Sequence, residues 1–128
     1  MHLSHMKRRV RRSEPLFAIG SWLMSYMELQ VLQKVQEEHD GKFHKDVMSW
    51  DKSKQIEHCA FHLAKIAGLF STYCEKVHHG ELYEIDKLVS DRIPDLLIFA
   101  LKFANIFDQD LEEIYLKRIR SVEASRKP

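Results

Sequence analysis

Residues that break or cross-link a backbone are scarce in this chain of 128 residues, which holds four glycines, three prolines and two cysteines. So few breakers exclude the closely spaced turns of a sandwich or barrel and favour long helices. Long hydrophobic runs are missing as well, since no apolar stretch approaches the roughly 18 to 20 residues of a membrane-crossing helix. No small-residue cleavage site follows the basic start, so a secretory leader is not expected. Cys59 and Cys74 stand fifteen positions apart. On one continuous helix that is about 22 Å at 1.5 Å per residue, too far to bridge. Both fall on an apolar face, the pattern of two buried thiols in a reducing cytoplasm.

What is present describes one globular domain: 45% apolar and 30% charged residues, proportions ordinary for a single folded unit. Charge is balanced in number but not in place. Lys7, Arg8, Arg9, Arg11 and Arg12 crowd the start, leaving fifteen bases against nineteen acids in the remainder. Residues 1–12 therefore read as a flexible basic arm, in which Met1 to His5 ahead of Met6 resembles a cloning remnant. The arm lacks aromatic residues between its bases, so it is read as a solvated terminus and not as a nucleic-acid contact. Residues 13–128 form the single helical domain.

Apolar spacing divides that domain into four helices, over residues 14–38, 52–78, 82–107 and 110–124, with no strand pattern and no internal repeat. Ser13-Glu14-Pro15 opens the first, which carries Trp22, Leu23, Met27 and Leu32; Glu37 to Gly41 ends it, with Gly41 as a left-handed cap. Lys42 to Ser49 is left as the one loop of any length. Asp51 caps the second helix, whose apolar face takes Ile56, Cys59, Ala60, Leu63, Ala67, Phe70, Tyr73, Cys74 and Val77. Gly80 closes it. The third helix points Ile85, Leu88, Val89, Ile93, Leu96, Leu97, Ala100, Phe103, Ala104 and Phe107 inward. Pro94 inside it predicts a kink or break near Ser90 to Ile93. Asp108 or Gln109 is expected to cap the fourth. Short turns joining four helices describe an all-α four-helix bundle.

Asp95 is an acid near the start of an apolar helical run, where an isolated charge needs a groove, a base or a metal. The segment Asp95-Leu96-Leu97-Ile98, followed by the corner into Asp110-Leu111-Glu112-Glu113, resembles the all-α nucleoside triphosphate pyrophosphohydrolases of the MazG kind. The resemblance spans about Glu28 to Ala124. It implies a MazG-like bundle and a Mg²⁺ site in which Glu-Glu-x-x-Glu on one helix faces Glu-x-x-Asp on another and holds the phosphates of a nucleotide. Separately, a thin fourth helix and an apolar first helix leave more apolar surface than one small bundle buries, so a dimer or larger oligomer is expected. Aligned through Gly68 and Asp95, this chain has Lys65, Ile66 and Leu69 at the three glutamate positions and Arg92 at the fourth. Asp95 is the only family acid retained, and the residues of any catalysis are otherwise unassigned.

Three chemistries remain open at this level. Lys65 and Arg92, with Arg118 and Arg120 as further candidates, can bind phosphates directly with Trp50 stacking on a base, or can simply bridge Asp91, Asp95 and Glu57. His58 and His62, one turn apart, can share a transition metal with Asp95, or can stand half-exposed on a helix rim. The rebuilt hydrolase would use Asp95, Asp91, Glu57, His58 and His62. The favoured expectation is a cytoplasmic module that binds a nucleotide or a protein, with impaired Mg²⁺-dependent hydrolysis. Whether it is an enzyme stays open. No cofactor is expected, or Mg²⁺ if the family activity persists. The expected partners are a second copy, docked through the first helix, and a nucleotide; no membrane is expected.

Overall fold

The structure is a computed structural model that describes residues 28–126. The start of the first helix, the basic arm and the expected dimer contact through Trp22 and Met27 lie outside the described residues. Within them every regular element is helical: α1 (Leu29–Phe43), α2 (Lys45–Met48), α3 (Lys52–His78), a π-helical turn (Leu88–Arg92), α4 (Ile93–Ile106) and α5 (Leu111–Ser125). No helix among the described residues is long and apolar enough to cross a membrane.

The most apolar helix, α4, is the shared centre, packed against both α3 and α1, with α5 laid on α1 and α4. Cys59 and Ile66 of α3 meet Phe99 of α4 in the core, with Leu63, Phe70, Phe103 and Ile106 packed around them. These α3 residues follow the spacing of one helix face. Ile66, assigned from the sequence to a lost metal position, is instead among the most buried side chains. Ala60, Ala67, Cys74 and Val77, expected inward, are exposed. The two-buried-thiols expectation thus holds for Cys59 alone. Burial raises the Cys59 pKa, with Lys102 opposing and Asp40 adding to the rise.

Helix ends follow local chemistry. Asp51 accepts from the Lys54 N–H at 2.9 Å and starts α3. Gly80, at φ 71°, ends it by a paired closure in which Glu81 N–H reaches Lys76 O and Gly80 N–H reaches Val77 O. α4 ends in the same way, with Gln109 N–H on Ala104 O and Asp108 N–H on Asn105 O. There Asp108 takes the left-handed position at φ 50°, which Asp tolerates better than most residues. Asp108 and Gln109 are therefore the exit of α4, and Asp110 is the cap of α5, accepting from Glu113 N–H at 3.2 Å.

Three sequence expectations are corrected. α1 runs through Gly41 to Phe43, and the expected loop 42–49 contains the short helix α2. Asp40 and Gln36 are both buried in the last turns of α1, so tertiary contacts extend the helix past the glycine. Residues 81–85 are without regular structure, so the third helix does not begin at Leu82. The break foreseen at Pro94 is the π-helical turn, with Ile93 N–H on Leu88 O. Its extra residue turns the following helix by about 100° relative to a continuous α-helix. Phe99 and Leu101, not expected inward, are buried along with the expected Ala104, while Ile93, Leu96 and Leu97 are exposed.

Candidate functional site

α1 and α3 flank α4, and between them opens a groove of about 450 Å³. Its walls include His39 and His44 from the α1 end, His58, His62 and Lys65 from α3, and Arg92, Asp95, Phe99 and Lys102 from the central strip. A smaller recess of about 90 Å³ adjoins it, sharing His44, His58 and Lys102 and adding Asp40 and Glu37. The groove exists because α4 is common to both neighbours. The side chains are polar because each helix turns its apolar stripe toward α4 and its rim toward the gap.

A row of rings runs along the α3 side. Trp50 meets His58 edge-on with centroids 5.6 Å apart, His58 meets His62 edge-on at 4.6 Å, and His62 lies stacked on Phe99 at 4.9 Å. The His62 pKa is lowered, first by burial and then by His58, Lys65 and Lys102, with Asp95 acting in the opposite sense. The neutral imidazole is thereby favoured in the folded protein.

Both acids nearest the groove are held by bases. Arg92 donates to Asp95 Oδ2 at 2.9 Å, one turn along the same helical segment. Where α1 meets α4 along the groove, Lys102 Nζ lies 3.1 Å from Asp40 Oδ1, and Gln36 Nε2 donates to that same oxygen at 3.0 Å. Lys65 has no ion-pair partner among the described residues. The groove walls hold three bases, Lys65, Arg92 and Lys102, against one acid, Asp95.

Lys65, Arg92, His58, His62 and Asp95 thus share one groove. Trp50 does not line it; the ring sits beyond His58 with Lys54 Nζ 4.2 Å from its centroid. Glu57, Asp91, Arg118 and Arg120 are exposed outside it, Asp91 accepting from Ser90 Oγ at 2.9 Å. His58, His62 and Asp95 do not gather into a metal-ligand set. Among the described residues, three ligating side chains with donor atoms within 4.8 Å of one another are His39, Asp40 and His44. The carboxylate set implied for Mg²⁺ does not fit either, because Asp95 is paired with Arg92 and the facing positions carry Lys65, buried Ile66 and Leu69. A hard ion takes several oxygen ligands, and none is supplied there beyond Asp95.

Sequence reading passed over Gln36, His39, Asp40 and Lys102. One signal was available: Lys102 is the single charge within the apolar run Ile98 to Ala104, and such a charge on the most apolar helix calls for a partner. We find no match of this chain to any family model, curated protein or solved structure.

Proposed function

We propose that the chain is a divergent MazG-like bundle whose groove binds a phosphate-bearing small molecule, a nucleotide in the first instance, without the family's Mg²⁺-dependent hydrolysis. The observation carrying this reading is the charge of the groove walls, three bases against one acid, in a space of about 450 Å³. That volume is within the range of about 300 to 1,000 Å³ usual for small-molecule sites. Arg92 and Lys102 are already paired, so Lys65 is the base left to meet a phosphate first. The stacked His62 and Phe99 rings supply an apolar wall beside it.

The reading places the protein in the cytoplasm, in keeping with its unbridged thiols, Cys59 and Cys74. It also includes self-association. The π-turn leaves Val89, Ile93, Leu96 and Leu97 exposed, an apolar surface of the kind that a second copy covers. Light scattering is expected to give a dimer or larger species, and Leu96→Asp to shift it toward monomer.

The test is calorimetric titration with nucleoside mono-, di- and triphosphates, the matching unphosphorylated nucleosides and inorganic pyrophosphate. Phosphorylated ligands are expected to bind and nucleosides not to. Lys65→Glu is expected to weaken binding at least tenfold with an unchanged thermal midpoint, Lys65 being exposed. Equal binding by wild type and Lys65→Glu, or no phosphate binding at all, rejects the reading.

A further inference from the structure

The last turn of α1 holds a second group of side chains that phosphate binding does not require. His39, Asp40 and His44 each place one donor atom within 4.8 Å of the other two. Two backbone features produce this. The helix continues past Gly41, which keeps Asp40 helical and buried. The chain then leaves helical geometry at His44, φ −131° and ψ 41°, while the His44 N–H still donates to Asp40 O at 2.8 Å. The His44 ring is thereby turned to 5.6 Å from that of His39, centroid to centroid.

We propose that His39, Asp40 and His44 bind a divalent transition-metal ion, of which Zn²⁺ is the representative. Two imidazoles and one carboxylate are a three-ligand set that suits Zn²⁺ and leaves a fourth position open. They do not suit Mg²⁺ or Ca²⁺, which favour oxygen. The second observation is the way Asp40 is held. Its side chain is 8% exposed, and both its side-chain partners, Gln36 and Lys102, contact Oδ1. Oδ2 has no side-chain partner among the described residues. A carboxylate fixed through one oxygen with the other left over is the outer-sphere arrangement that orients metal ligands.

Bonds of about 2.0 to 2.1 Å put tetrahedral donors roughly 3.3 Å apart. The three groups must therefore close by no more than about 1.5 Å. His39 and His44 are exposed, and rotation of their side chains supplies that movement while Asp40 stays fixed. His58 and His62 are not ligands in this assignment; they belong to the facing wall of the groove.

Zn²⁺ is titrated into the full chain by calorimetry with a competing chelator, and Co²⁺ replaces it for visible spectroscopy. One ion per chain is expected, with a visible Co²⁺ band of a low-coordinate site. His39→Gln and His44→Gln are each expected to weaken Zn²⁺ binding at least tenfold, with thermal midpoints close to wild type. His58→Gln and His62→Gln are expected to leave binding within about twofold. Asp40→Asn keeps the side-chain shape and is expected to match the His losses where circular dichroism shows it folded. Absence of Zn²⁺ binding in wild type, or His44→Gln binding as wild type does, overturns the assignment.

Discussion

Lys102 Nζ lies 3.1 Å from Asp40 Oδ1, with the two side chains 12% and 8% exposed. This pair joins the central helix to the last turns of α1, on the side where the helix runs on past Gly41. Lys102 also lines the groove, and Asp40 belongs to the proposed metal site, so the pair ties α1 to α4 beside both.

Lys102→Met removes the base and leaves Asp40 buried with Gln36 alone. Losing one member of a buried pair costs on the order of 3 kcal/mol, which for a body of this size lowers the melting temperature by roughly 10 to 20 °C. Zn²⁺ is expected to restore part of that loss by replacing the missing charge. Thermal melts with and without the ion measure both effects, and a variant as stable as wild type would show that the pair does not support the fold.

Gln33 is the second tie between α1 and the rest. Its Oε1 accepts from Leu111 N–H at 2.9 Å, its Nε2 donates to Gln109 O at 2.8 Å and Asn105 Oδ1 at 3.1 Å, and its own carbonyl accepts from Asn105 Nδ2 at 3.0 Å. Gln33→Leu keeps the bulk and the backbone bond from Asn105 Nδ2 but removes the side-chain partners of Leu111 N–H, Gln109 O and Asn105 Oδ1, at a cost of about 1 to 3 kcal/mol. Hydrogen exchange is expected to quicken first at the start of α5. Uniform protection across variant and wild type would contradict this role.

His62 has a folded pKa below its ordinary value of 6.5, chiefly through burial. On acidification the unfolded chain takes up this proton before the folded one does, so stability falls with pH in the window between 6.5 and the lower folded value. Above that window His62 carries no penalty, and below it the penalty is complete. His62→Gln is expected to flatten the stability profile there, as measured by urea midpoints from about pH 5 to 8. Parallel profiles for the two proteins would show that this residue is not responsible.

Nucleoside triphosphates with Mg²⁺ or Mn²⁺ are expected to release no pyrophosphate above background. The ion would have to use Asp95 beside Arg92, 2.9 Å away, with Lys65 on the opposite wall. A unit charge at about 4 Å opposes another by on the order of 4 kcal/mol at an effective dielectric of 20, reduced where water enters. Turnover of about 1 per second or more that disappears in Asp95→Ala would mean that a hydrolytic site has been rebuilt in the groove.

The sequence by itself determined the helical class, the limits of α3 at Lys52 and His78, the cap at Asp51, the stop at Gly80 and the interruption before Pro94. Each depends on spacing or on a backbone preference acting within a few residues, and such preferences act wherever the segment is placed. Tertiary structure decided the rest. The face of α4 that is buried is decided by its packing against α1 and α3 after the π-turn, which buries Phe99 and Leu101 and leaves Leu96 and Leu97 exposed. The end of α1 depends on Lys102, sixty-two positions away in the chain, because a buried carboxylate with a partner keeps helical a turn that glycine would otherwise terminate. His39, Asp40 and His44 are close neighbours in the sequence, but their meeting depends on the helix continuing past Gly41 and on the backbone turn at His44; the groove depends on two helices sharing a third and leaves no local pattern.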